Sequence, residues 1–156
     1  MGCPRRKRLR TTLLLPLLIG LLACHSAPRV VISTTSGKEI ALRAEVADTP
    51  AKRVLGLQYR NELADDQGML FLFPSATTQS FWMKNTPLPL DMIFISSDLK
   101  IVGIIHQAVP FSTTTLSVPA PSQFVLEIKG GISQRSGIEV GNPVRFENIS
   151  LDGVRE

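Results

Sequence analysis

Residues 81–91 read Phe81-Trp82-Met83-Lys84-Asn85-Thr86-Pro87-Leu88-Pro89-Leu90-Asp91. Pro87 and Pro89 fix the backbone in a segment that also carries the single Trp of the chain, a Lys, an Asn and an Asp. Apolar runs flank it, Met69 to Phe73 before and Met92 to Ile95 after. Short continuous apolar runs read as strands with both faces covered. The stretch is therefore a rigid polar turn between two buried strands. Such a turn can hold side chains at a pocket rim, and it can equally be plain architecture.

Working outward, the period-two pattern continues. Arg29 to Ser33 is β-branched and apolar, Ser36-Gly37-Lys38 is a turn, and Glu39 to Val46 alternates polar with apolar. These make a first hairpin. Asp48-Thr49-Pro50 opens a helix of about two turns that Gly56 closes, with Ala51, Val54 and Leu55 on its core face. Residues 59–68 are a polar loop. The strand from Met69 ends at Pro74, and Gln79 to Lys84 forms the next strand. Leu90 to Ile95 and Lys100 to His106 make a second hairpin, with Gly103 marking a bulge. Residues 107–122 form a long loop rich in Pro, Ser and Thr. Phe124 to Lys129 alternates, with Phe124, Leu126 and Ile128 on one face and Val125 and Glu127 on the other. Gly130-Gly131 opens a short helical turn, and Val144 and Phe146 lie on a last strand. The sequence thus predicts a mainly β, α+β domain, a compact curled sheet or small barrel-like fold with one or two short helices.

The N-terminus sets the expected location. Arg5, Arg6, Lys7, Arg8 and Arg10 precede an apolar run from Leu13 to Leu22, and Leu21-Leu22-Ala23-Cys24 follows. A basic region, a short apolar region and a small residue before a cut describe a secretory signal, and the run is too short to span a bilayer. The last four residues resemble a bacterial lipobox, which implies lipidation of Cys24 after removal of residues 1–23. The expected organisation is a signal peptide over 1–23, lipidated Cys24 with a tether over 24–28, one globular domain over 29–150 and a tail over 151–156. The expected location is the cell envelope, anchored by lipid. His25 rather than Asp after the Cys places the anchor in the outer membrane, facing the periplasm, in a Gram-negative host.

Charge excludes one function class. The chain carries 17 basic and 13 acidic residues, formally +4. Five of the basic residues and no acidic ones precede Cys24, so the mature chain has 12 basic against 13 acidic residues, a net of about −1. The remaining Lys and Arg are scattered, which argues against nucleic acid as a partner. Of the two cysteines, Cys3 lies in the signal and Cys24 would carry lipid, so no disulfide supports the mature domain. Roughly 125 residues can still bury a sufficient core.

Several segments together resemble one family. They are Lys52-Arg53-Val54-Leu55-Gly56-Leu57-Gln58-Tyr59-Arg60, Gly68 to Phe73, the 81–91 stretch, and Val125-Leu126-Glu127 followed by Gly130-Gly131 and Gly137. Over about residues 30–148 the chain resembles the bacterial and archaeal "domain of unknown function 192" family. Gln58, where the family tends to have Met, and the extended 107–122 loop depart from the pattern. The resemblance implies a compact, mostly β fold in a protein that is secreted or lipid-anchored. It implies no activity.

The residues must therefore be weighed on their own. Lys84 and Asp91 flank the proline turn, where they could pair across it or orient an anionic or hydroxyl-rich ligand. Glu127 lies on an interior strand, and a buried carboxylate predicts Arg53, Arg60 or Lys84 beside it. Trp82 can stack on a ring or fill a gap, and Asn85 can orient a ligand or simply make a turn. The candidate binding set is Trp82, Lys84, Asn85, Asp91, Glu127, Arg53 and Arg60, expected on one concave surface. One His in the domain, His106, and no Cys leave no metal site. A Ser–His–Asp triad is open from residue order alone, but no Gly-x-Ser-x-Gly elbow or phosphate-cradling loop is present, and no cofactor is expected. The favoured function is binding of a small molecule or envelope protein at the 81–91 turn. Two alternatives stand beside it: a small hydrolase or transferase for an envelope or carbohydrate substrate, with Asp91 and Glu127 as acid and base, and a non-catalytic scaffold.

Overall fold

The computed structural model describes residues 26–152 and 154; the expected signal peptide and Cys24 lie outside the described residues. Seven strands form one sheet. In chain order the elements are β1 (Arg29–Ser33), β2 (Glu39–Ala47), α1 (Pro50–Leu55), β3 (Gln67–Thr77), β4 (Leu90–Ile95), β5 (Ile101–Ala108), β6 (Ser122–Lys129), α2 (Ile132–Arg135) and β7 (Val144–Glu147). The strand order across the sheet is β5-β4-β6-β3-β2-β1-β7. The sheet curls into a half-barrel, as the alternation predicts. Its two ends meet where Ile101 N–H donates to Asn142 O (3.1 Å), Val144 N–H donates to Leu99 O (2.8 Å), and Lys100 bridges Pro143.

Central β3, β4 and β6 are covered on both faces, which explains their continuous apolar sequences. On the concave face Leu70, Leu72, Ile93, Ile95, Leu126 and Ile128 pack with Val30, Ile32 and Leu42, closed off by Ile132 and Ile138. On the other face Met69, Phe71, Met92, Phe94 and Val125 pack with Leu57, Leu63 and Met83. Only β2 and β3 pair in parallel. A parallel pair needs a crossover connection, and the segment with α1 supplies it.

Three expectations need correction. Pro74 does not end β3, because the β3–β6 register shifts between Leu72 and Thr77, so no ladder hydrogen bond is asked of the missing N–H. Residues 79–84 form no strand: Phe81 makes a single bridge to Leu116, and Met83 N–H donates to Ser112 O (2.8 Å). Their alternation comes from pinning against the 107–122 loop rather than from a ladder. Helix α1 starts and ends where expected, with Thr49 as its cap, Pro50 at its start and Gly56 at its end. Yet it buries no residue: Val54 is 73% and Leu55 55% exposed.

Asp91 ties the architecture together. Its side chain is fully buried and makes no ion pair with Lys84; backbone and hydroxyl donors hold it instead. Oδ1 accepts from Gln107 N–H (2.8 Å) and Gly131 N–H (3.0 Å), while Oδ2 accepts from Ser133 N–H (2.9 Å) and the Ser133 hydroxyl (2.7 Å). Burial pushes the carboxyl upward, but these hydrogen bonds to Gly131, Ser133 and Gln107 outweigh it and hold the group below its ordinary 3.8. The expected Lys84–Asp91 pair is thus replaced by an anion nest joining β4, β5 and α2.

This arrangement generates a prediction. Asp91→Asn keeps the shape but offers one acceptor oxygen to four donors, and hydrogen bonds to charged groups contribute about 1.5–3 kcal/mol each. Urea denaturation at pH 7 should show a loss of about 3 kcal/mol. The folded-state value is depressed, so the stabilisation is present above about pH 4 and disappears as pH falls through the folded value. The wild-type advantage over the variant should therefore shrink in acid, and a pH-independent difference would contradict the nest.

Candidate functional site

A cavity of about 570 Å³ opens on the outer face of the sheet, between α1, β3 and the start of the 81–91 turn. Val54, Leu55 and Leu57 form one wall, and Phe71, Phe73 and Phe81 another. The phenyl rings stand edge to face, Phe71 and Phe73 with Phe81 at 5.1 and 6.2 Å between centroids. This geometry is favoured by the aromatic quadrupole and fixes the wall. Trp82, 53% exposed, lies at the mouth. Thr86, Gln58, Ser80 and Thr115 supply the polar positions.

Glu127 also lines this cavity. On β6 it stands between Met69 of β3 and Met92 of β4 in register, 4% exposed. Burial alone pushes its carboxyl up to about 8; no charge and no hydrogen bond contributes. Among the described residues no cation pairs with it, although the expected Arg53 lines the same cavity. The physical reason is that a carboxyl with no counter-charge takes a proton rather than remain ionised in an apolar wall. At neutral pH Glu127 is a neutral acid.

The other expected cations are engaged elsewhere. Arg60 pairs with Glu45 on β2. Arg53 lines the cavity, where Nη1 donates to Leu72 O (2.9 Å) and the guanidinium lies 5.5 Å from the Phe73 centroid. Lys84 is exposed, its Nζ 5.6 Å from the Trp82 ring. Asn85 holds a left-handed backbone (φ 56°) and braces the loop beside α1. Its Nδ2 donates to Tyr59 Oη (2.8 Å) and Gln58 Oε1 (3.1 Å), and its carbonyl accepts from Tyr59 N–H (2.8 Å). Of the seven expected residues, Trp82, Glu127 and Arg53 line one cavity. Lys84 and Asn85 border its rim, and Asp91 and Arg60 are not part of it.

Two chemical readings change as a result. Asp91 pairs with Ile128 in the β4–β6 register and Met92 with Glu127. Neighbours along a strand point to opposite faces, so Asp91 and Glu127 lie on opposite sides of the sheet and cannot act as an acid and base on one substrate. Asp91, Ser133 and His106 do come together, with His106 Nδ1 2.9 Å from Ser133 Oγ. The order is wrong for a hydrolase, however. The fully buried Ser133 hydroxyl donates its hydrogen bond to Asp91 rather than to His106, so His106 is not placed as the base that activates it. Among the described residues no cluster of His, Cys, Asp and Glu could hold a metal ion.

Sequence reasoning missed the α1 wall and the polar contributions of Gln58 and Thr86. The available signal was Val54-Leu55 in a helix too short to bury both, directly before Gly56.

Glu127 has a measurable consequence for stability. Its folded value is raised to about 8 from an ordinary 4.5. The unfolded chain releases the proton first, so stability falls as pH rises between these values and the whole loss is present above about 8. Glu127→Gln removes that loss. Relative to the wild type, its denaturation free energy should improve by on the order of 4 kcal/mol between pH 4.5 and pH 9. Parallel pH profiles for the two proteins would show that Glu127 is not a buried neutral acid.

Comparison with known proteins agrees with the architecture. The model of the DUF192 family, described as "Uncharacterized ACR", matches residues 31–146. A solved protein of Sinorhizobium meliloti 1021, described as a candidate transcription regulator, is 40% identical. The match covers 78% of this chain and 95% of that one, with a TM-score of 0.74. A solved protein of unknown function from Novosphingobium aromaticivorans DSM 12444 is 41% identical over 75% of this chain and 83% of that one, with a TM-score of 0.72. No curated protein matches the chain. A family model spanning this much of the chain, on a half-barrel that its 81–91 turn braces, establishes that the chain belongs to the DUF192 family.

Proposed function

We propose that this chain is an envelope lipoprotein, tethered through Cys24, whose DUF192 domain binds a small molecule in the cavity behind Trp82. One observation carries the binding reading: Glu127, 4% exposed, lines an aromatic-walled cavity, and among the described residues its carboxyl has no hydrogen-bond or ion-pair partner. A buried polar group without a partner costs free energy, and a sheet position between two methionines would be filled more stably by an apolar side chain. A residue that lowers stability at such a place is explained by what enters the cavity. The cavity's volume lies in the usual range for small-molecule sites, which are mostly apolar with a few placed polar groups.

The enzymatic alternative has less support, because Asp91 faces the other side of the sheet and Glu127 has no second carboxyl beside it. The scaffold alternative leaves the cost of Glu127 without a reason. The candidate-regulator description of the Sinorhizobium protein is not carried over, since Arg43, Arg60, Lys129 and Arg145 form surface ion pairs with acidic side chains rather than a basic face.

Native mass spectrometry of the full chain, extracted from its host envelope in mild detergent, tests the binding reading. The wild type should carry a small adduct, Glu127→Gln should lose it, and Lys84→Ala should keep it with stability changed by less than about 1 kcal/mol, as for a surface charge. A wild type that is bare, and whose Trp82 fluorescence ignores an envelope extract, would end this reading. The anchor is tested separately. Cys24→Ser should leave an uncleaved precursor or a protein released from membranes, and wild-type fractionation and migration would refute the lipid tether.

A further inference from the structure

We infer that the cavity is a receptor for an organic cation, an alkylammonium group on a small body, with Glu127 as its counter-ion and the aromatic wall as its cage. The inference rests on the binding reading above and names the ligand class for the same site.

Three observations lead there. The first is the choice of side chain. If the cavity needed only a neutral hydrogen-bonding group, an amide would serve without an ionisation to suppress. What a carboxyl adds is the capacity to become an anion when a counter-charge arrives. The second is that no charge among the described residues acts on Glu127, although Arg53 lines the same cavity: Glu127 is flanked by Met69 and Met92, and only burial sets its protonation. The third is the wall. Phe71, Phe73, Phe81 and Trp82 surround the same space, and aromatic faces attract cations, quaternary ammonium groups included. The chain's own cations already settle on two of these rings, Arg53 at 5.5 Å from Phe73 and Lys84 at 5.6 Å from Trp82.

Arg53 and Glu127 are the charged residues among those that line the cavity. Arg53 donates to the Leu72 carbonyl on β3, and Lys84 lies against the Trp82 ring. Neither contributes to the protonation of Glu127. Entry of a cation therefore drives one defined proton step: the carboxyl releases its proton to solvent, the carboxylate pairs with the guest, and charge inside the cavity balances.

The test uses the full chain and three probes of similar size: choline, its uncharged isostere 3,3-dimethyl-1-butanol, and the anion butyrate. Binding is followed by NMR shifts of the Trp82 indole N–H and by calorimetry in two buffers of different protonation enthalpy. Choline should bind in preference to both other probes. Its affinity should rise close to tenfold per pH unit up to about pH 8 and then level off, with nearly one proton released at pH 7. Glu127→Gln should weaken choline by about tenfold or more while leaving dimethylbutanol unaffected. Arg53→Met should keep or tighten choline binding.

Other outcomes overturn the inference. Equal binding of choline and dimethylbutanol, unchanged in Glu127→Gln, would make the cavity a neutral apolar site and leave the binding reading intact. Butyrate binding that Arg53→Met abolishes would assign an anion site instead. Silence from all three probes would reject the cation class, while the envelope adduct seen by mass spectrometry would still decide whether anything binds.

Discussion

The carboxylate of Asp91 is the point on which the architecture depends. It gathers donors from β5, from the residue that begins α2 and from α2 itself, four hydrogen bonds converging on two oxygens. Gln107 adopts a left-handed backbone (φ 47°) there, and the Gly131 cap of α2 does the same (φ 84°). Glycine takes this conformation freely, but Gln107 keeps it only where surrounding contacts determine it, and its hydrogen bond to the buried charge is one of them. Once β5 and α2 are fixed, Ile132 and Ile138 close the concave core. The end of the 81–91 turn is then anchored, and the remainder of the turn can hold Trp82 at the surface.

Glu127 is the counterpart of Asp91 one sheet face away. The two acids belong to adjacent strands and are one register step apart. One is ionised because donors surround it; the other is neutral because nothing does. This contrast separates the two acids more clearly than burial, which is nearly complete for both. Among the described residues Glu127 has no hydrogen-bond or ion-pair partner, inside a space that could hold one.

Much of the fold is legible in the sequence because strand alternation and end signals are local. Arg29 to Ser33, Leu90 to Ile95 and Phe124 to Lys129 each announce themselves, and Thr49, Pro50 and Gly56 bound α1. The site is less legible because it depends on register. No local pattern tells whether Asp91 and Glu127 share a face; the β4–β6 pairing decides it, across 36 residues of chain. The error over residues 79–84 has a related origin. Phe81 and Met83 turn inward in an irregular segment, and a period of two is not proof of a ladder. Helix α1 misled through the reverse effect: a short helix with an apolar stripe lines a cavity instead of a core.

The position of β6 in the chain has a kinetic consequence. It pairs with both β3 and β4, yet it comes second to last among the strands. Until residues 122–129 are available, the sheet exists only as two unconnected parts, the β4–β5 hairpin and the β1–β2–β3 group. Neither part can cover its apolar faces alone. Closure must bring together segments distant in sequence, which slows folding in proportion to the loop entropy lost before contacts form. The domain is therefore built to assemble late and all at once, after nearly the whole chain is free to move.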